Sequence, residues 1–185
     1  MPPKRPDLTK RQRIKKYYEL FLHLFGRYNS YSRFDATQVT RLVFVCAGNI
    51  CRSAVAEFYV KSLGAEAASF GVNCPDGDPA NSTMMRVAAT KNLHLEPHLT
   101  TSMNKFTPQK GDLFVAMEKS HIDKIKTTMH PHPNNDMILL GLFADERRPT
   151  IIDPYGKPDD YFDKTTSIIF AAIDNLRKHI AQQKT

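Results

Sequence analysis

From residue 41 to the C-terminus, short apolar runs alternate with longer stretches in which apolar residues recur every three or four positions. Val43-Phe44-Val45-Cys46 is a β-branched and aromatic run closed by Ala47-Gly48-Asn49, the pattern of a buried parallel strand entering a turn. Ala54 to Leu63 reads as a helix with apolar positions at Val55, Phe58, Tyr59 and Leu63. Ala67-Ala68-Ser69-Phe70 predicts a second strand ending at Gly71, and Ala80 to Leu93 a helix with Met84, Met85, Val87 and Ala88 inward. Leu113 to Ala116 predicts a third strand and Glu118 to Met129 a helix. Beyond a Pro-rich bend, His130 to Pro133, the pattern predicts a fourth strand, Met137 to Leu140. A long loop over 141–160 and an amphipathic helix from Tyr161 to Ala181 complete the chain. Strands alternating with helices predict an α/β fold, a three-layer doubly wound sheet of about four parallel strands. Its active site is expected at the carboxyl edge of the sheet, where Cys46 falls.

Ahead of this pattern lies a different one. Met1 to Pro6 is Pro-rich and reads as loose. From Asp7 or Thr9, either a suitable N-cap, to Tyr28 the spacing predicts a helix, with Gly26 as a place for it to loosen or end. Ile14, Tyr17, Tyr18, Phe21, Leu24, Phe25 and Tyr28 form one apolar stripe. Asn29 to Thr40 is polar and turn-rich, and reads as a linker. The division expected is a basic extension and linker over 1–40 and a catalytic domain over 41–185.

Charge sharpens that division. Residues 1–40 hold nine Lys or Arg against three acids, so nearly all of the chain's net charge of +7 belongs to the extension. No nucleic-acid motif accompanies it, so nucleic acid is not an expected partner. The stripe leaves three readings open: packing on the domain behind it, a dimer or partner contact, or a surface for anionic lipid. The three cysteines match neither a disulfide framework nor a zinc pattern, which points to a reducing, cytoplasmic setting and no metal or other cofactor. No apolar run approaches the length needed to span a bilayer, and none follows the basic N-terminus as a signal peptide would require.

The chemistry concentrates between Cys46 and Ser53. Backbone N–H groups at a helix N-terminus, aided by the helix dipole, form an anion cradle. Ala47, Gly48, Asn49, Ile50 and Cys51 supply that ring, and Arg52 adds a planar donor that matches two phosphate oxygens. The same field stabilises a thiolate at Cys46, so a phosphate held there sits above a nucleophile. Gly48 and Asn49 suit the positive φ such a tight ring demands.

Cys46-Ala-Gly-Asn-Ile-Cys-Arg-Ser53 resembles the phosphate-binding loop of the low-molecular-weight protein tyrosine phosphatases, and Asp153-Pro154-Tyr155 resembles the late Asp-Pro-aromatic segment of that family. The likeness runs from about residue 41 to the C-terminus. It implies a phosphomonoester hydrolase acting on phosphotyrosine proteins, with Cys46 as nucleophile, Arg52 and the loop amides binding phosphate, and Asp153 as general acid and base. It further implies that Ser53 hydrogen-bonds the nucleophile, that Ser69 and His98 hold Asn49 in a strained conformation, and that Tyr155 flanks the substrate ring. Cys51 matches a second cysteine that can close a reversible disulfide on the nucleophile, whereas Cys74 has no such context. A bacterial tyrosine kinase is the kind of substrate the resemblance suggests.

Two departures stand out. Val72-Asn73-Cys74-Pro75 holds no aromatic where the family often places a second wall of the pocket, and Gly156 follows Tyr155 where some members carry another tyrosine. Relatives of the same fold offer rival activities. Arsenate reductase needs cysteines downstream, and none follows Cys74; a protein arginine phosphatase carries Thr where this chain has Ile50. A rival of another class is a phosphate-binding scaffold acting through the extension.

Overall fold

The structure is a computed structural model that describes residues 10–129, 131 and 135–184. The Met1–Pro6 segment expected to be loose, both N-cap candidates and most of the His130–Pro133 bend lie outside the described residues. Four strands, β1 (Arg41–Cys46), β2 (Ala67–Gly71), β3 (Asp112–Ala116) and β4 (Met137–Leu139), form one parallel sheet in the order β2-β1-β3-β4. β1 pairs with both β2 and β3, with Cys46 beside Gly71 and Val45 beside Ala116. The chain therefore leaves β1 in opposite directions on its two flanks, which opens a crevice at the carboxyl end of the strand.

Side chains alternate across the pleat and divide the core into layers. Leu42, Phe44 and Cys46 join the cluster under α2 (Arg52–Ser62), α3 (Ser82–Ala89) and α5 (Asp159–Lys184). Val43 and Val45 face the other way, onto Phe70, Phe114 and the Ile125 and Met129 end of α4 (Lys119–Thr128) and the turn after it. Both faces of β1 are covered, which is why its sequence is apolar without alternation.

Several boundaries move from those expected. α2 begins at Arg52, two residues early, which puts the arginine on the first helical turn. The helix expected over 80–93 shortens to Ser82–Ala89, because Asn81 caps it by accepting from the Met84 N–H (3.1 Å) and Asn92 takes a left-handed φ of 56°. The loop over 141–160 opens with a 3-10 turn, Leu140–Phe143, and α5 starts just behind Pro158, which cannot donate a helical hydrogen bond.

In the extension, α1 (Lys10–Leu24) ends in a Schellman turn: Gly26 at φ 74° donates to the His23 carbonyl and Arg27 to the Leu22 carbonyl. The segment read as a linker is packed rather than free. Tyr28 and Ala36 are buried, Phe34 meets Phe143 and His179, and two 3-10 turns (Asn29–Ser32, Ala36–Gln38) carry the chain against β4 and α5. Its aromatics Tyr31 and Phe34, together with Tyr28, the expected end of the preceding helix, are the signal that composition obscured. The stripe on α1 behaves in the opposite way: Ile14, Tyr17, Tyr18, Phe21, Leu24 and Phe25 are exposed, so it does not pack on the domain.

Candidate active site

Cys46 is the last residue of β1 and is almost fully buried. The chain circles through residues 47–51 and enters α2, whose N-cap, Cys51, makes no side-chain capping bond. Asn49 sits inside this ring at φ 52°, one of two non-glycine residues with positive φ among those described. A left-handed residue with a side chain costs about 1–2 kcal/mol. Five hydrogen bonds hold it there. Its side-chain oxygen accepts from the Thr101 N–H (2.8 Å), and its amide nitrogen donates to Ser69 Oγ (2.7 Å) and Ser53 Oγ (2.9 Å). His98 Nε2 donates to its carbonyl (2.6 Å), and its own N–H is turned onto Cys46 Sγ at 3.3 Å.

The direction of this network follows from its outer end. Ser69 Oγ donates to Glu57 Oε2 (2.6 Å), since a carboxylate only accepts, and so receives its hydrogen bond from Asn49. Ser53 Oγ also accepts from Asn49, which frees its hydroxyl proton for Cys46 Sγ, 3.1 Å away. Two donors, the Asn49 N–H and the Ser53 O–H, thus converge on one sulfur. Lys61 pairs with Glu57 and fixes the far end.

Arg52 is the largest side chain of those nearly sealed from solvent. Nη1 donates to Glu118 Oε1 and to the Ile151 carbonyl, both at 2.9 Å, and Nη2 donates to Asp153 Oδ2 at 2.6 Å. Nε is buried and has no partner among the described residues. Burial opposes the charge, but Cys46, Asp153 and Glu118 together outweigh it and hold the guanidinium above its ordinary range. Glu118 follows β3 and Asp153 lies in the segment between β4 and α5, so the segments after three strands meet at one cation. Asp153 is only partly covered, its Oδ1 accepts from the Tyr155 N–H (3.1 Å), and the Tyr155 ring is exposed.

The other thiols differ in setting. Burial above all, with Asp153 and Cys46 adding to it, pushes the Cys51 thiol far up, while Arg52 pulls the other way. Burial likewise raises Cys74. His98 is pulled below the ordinary imidazole value by burial, against the Asn49 carbonyl and Glu57.

A depression of about 670 Å³ opens beside Ala47, between residues 71–74, 102–104 and the α4 side from Glu118 to Thr128. Its lining includes no Phe, Tyr or Trp, in keeping with the missing aromatic in Val72–Pro75. Val72 and Asn73 donate from their backbones to the Cys46 and Ala47 carbonyls, so this loop lies directly along the ring.

Four residues that the sequence reading missed complete the site. Glu57 and Glu118 orient the network and the arginine, and Thr101 supplies a backbone donor. Gly71 matters for its lack of a side chain: a Cβ there would meet Cys74 Sγ at 2.5 Å, the Ala47 carbonyl at 2.8 Å and the Asn49 nitrogen at 3.1 Å. Two of those atoms belong to the ring's backbone and cannot step aside cheaply. Gly71→Ala is therefore expected to destabilise the protein by about 1–3 kcal/mol and to weaken inorganic phosphate binding, read by thermal unfolding with and without phosphate. Unchanged values in both would show that the ring tolerates the displacement. Among these four only Gly71, closing an apolar strand, left a mark in the sequence.

Comparison with known proteins agrees with this geometry. The family model for low molecular weight phosphotyrosine protein phosphatase matches residues 41–185. The low molecular weight protein-tyrosine-phosphatase Wzb of Escherichia coli K12 is 32% identical over 144 residues, covering 77% of this chain and 90% of its own. Etp of the same strain is 29% identical over 143 residues, covering 76% and 95%. Among solved structures, the tyrosine phosphatase Wzb from E. coli K30, in complex with sulphate, superposes with a TM-score of 0.67 at 29% identity, covering 77% of this chain and 99% of that one. YwlE arginine phosphatase from Geobacillus stearothermophilus, at 24% identity and a TM-score of 0.66 over 78% and 95% of the two chains, shares the fold. With a matched span that takes in the ring, both carboxylates at Arg52 and all four strands, this chain belongs to the low molecular weight phosphotyrosine protein phosphatase family of hydrolases.

Proposed function

We infer that residues 41–185 form a protein tyrosine phosphatase domain that works through a phosphocysteine. The observation that carries this reading is the convergence at the ring: a buried sulfur with two donors aimed at it, beside a guanidinium whose Nε has no acceptor among the described residues. A phosphate monoester entering the ring brings oxygens to the loop amides and to Arg52 Nε and Nη2, with phosphorus above Cys46 Sγ. The sulfur attacks in line and the S–P bond forms as the ester P–O bond breaks. Arg52 and the amides bear the charge of the equatorial oxygens.

Asp153 is the proton donor in this reading. Taking Nη2 for a phosphate oxygen frees Asp153 Oδ2 from Arg52, so that it can carry a proton toward the ester oxygen. Asp153 delivers that proton to the departing phenolic oxygen, then removes one from the water that cleaves the phosphocysteine. Oxidation by peroxide would turn Cys46 into a sulfenic acid, which condenses with the Cys51 thiol and releases water. Three free thiols fit a reducing, cytoplasmic setting.

Phosphotyrosine is favoured over phosphoarginine by Ile50, an apolar residue half-buried against the core where the arginine class carries Thr. The substrate is a phosphotyrosine protein, for which a bacterial tyrosine kinase is the model. Phosphotyrosine, phosphoserine and phosphoarginine peptides of one sequence, hydrolysed under reductant, test the reading. Phosphotyrosine turnover should exceed the others by on the order of 10²-fold or more, the discrimination a shaped site can supply. Faster phosphoarginine turnover would replace this reading with the arginine class.

A further inference from the structure

The extension carries a surface that the phosphatase reading leaves unused. Ile14, Tyr17, Tyr18, Phe21, Leu24 and Phe25 recur at three- and four-residue steps on α1 and the turn after it, and they are 56–77% exposed. Single exposed apolar residues are ordinary, but a contiguous stripe of six marks an interaction surface. The helix is not held to the domain by this stripe. It touches the domain at the edge of the stripe, where Leu22 joins the cluster of Tyr28, Ile122 and Leu142. Phe21 and Phe25 pack on each other, with ring centroids 4.7 Å apart, rather than on the domain.

Charge narrows what can cover the stripe. α1 contains Lys10, Arg11, Arg13, Lys15 and Lys16 against Glu19 alone, within an extension of net +6. A second copy would bring the same positive charge to the contact and be repelled. The partner that fits both features is apolar beneath and negative on top. We propose that α1 docks this protein onto a bilayer surface carrying anionic phospholipid, with its tyrosine and phenylalanine rings at the boundary between headgroups and acyl chains. The fifteen described residues of α1 span about 22 Å, short of the ~30 Å hydrocarbon core, and no helix among the described residues is long and apolar enough to cross a membrane. The helix lies in the plane of the surface. The proposal does not depend on the chemistry at Cys46.

The test is flotation of the full chain with vesicles of phosphatidylcholine alone or mixed with phosphatidylglycerol, at low and high salt. Two variants accompany it, Phe21→Ser/Phe25→Ser and Lys15→Glu/Lys16→Glu, each checked for an unchanged circular dichroism spectrum and thermal midpoint. Wild type should float with the mixed vesicles, not with phosphatidylcholine alone, and be released by salt. Each variant should bind on the order of tenfold or more weakly, one through lost apolar insertion and the other through lost attraction. Equal binding to both vesicle types, or no binding to either, would overturn the proposal. So would a dimer in analytical ultracentrifugation that Phe21→Ser/Phe25→Ser dissolves while vesicles go unbound, since the stripe would then be a protein contact.

Discussion

Cys46→Ser is expected to remove phosphotyrosine turnover by on the order of 10⁵-fold or more while leaving the protein folded. The substitution exchanges one buried acceptor for another of similar shape, so the Asn49 N–H and the Ser53 hydroxyl still find a partner at position 46. What disappears is nucleophilicity, because an alkanol hydroxyl without a base beside it does not ionise at neutral pH. The binding parts remain. Arg52 keeps Glu118, Ile151 and Asp153, and the ring keeps Asn49 in its left-handed conformation. The variant should therefore still be stabilised by inorganic phosphate in thermal unfolding. Turnover within about tenfold of wild type would dismiss Cys46 as the nucleophile, since removal of an attacking group leaves far less than that. Lost phosphate protection together with lost turnover would instead mean that the substitution has damaged the ring.

Asp153→Asn should lower turnover by about 10²–10⁴-fold, and by an amount that depends on the leaving group. Asp153 accepts from Arg52 Nη2 through Oδ2 and from the Tyr155 N–H through Oδ1, so the single oxygen of an asparagine keeps one of these bonds and its NH2 faces the other donor, which thermal unfolding of the variant will register. The asparagine has no acid proton to give. A phenyl phosphate, whose leaving oxygen is basic, needs that proton in the transition state and should suffer the full loss. A p-nitrophenyl phosphate leaves as a stable anion and should lose much less. Equal losses for both esters would show that Asp153 acts by holding Arg52 rather than by proton transfer. The distinction matters here because Asp153 contacts the arginine directly, so a structural role has its own geometric basis.

Much of this molecule was legible along the chain. The order of strands and helices followed from apolar periodicity, since a strand buried on both faces and a helix buried on one leave different spacings. The ring was legible because its parts are consecutive: strand end, Gly-Asn, arginine and helix all lie within a dozen residues. Asp153 lies 101 residues from Arg52 yet was named by its Asp-Pro-Tyr context. Tertiary structure decided what no local pattern carries. Glu57 looks like any solvent-facing glutamate of a helix, and only the approach of β2 through Ser69 makes it the acceptor that orients the bonds running to Cys46. Glu118 pairs with Arg52 only because β3 lies beside β1 in the sheet. The extension shows both sides of the same limit. Periodicity placed apolar residues on one face of α1 and aromatics through 28–34, but spacing records only that a face is apolar. Which of the two the domain buries depends on the surface each meets, and the fold gave the cover to Tyr28 and Phe34 and left Phe21 and Phe25 facing water.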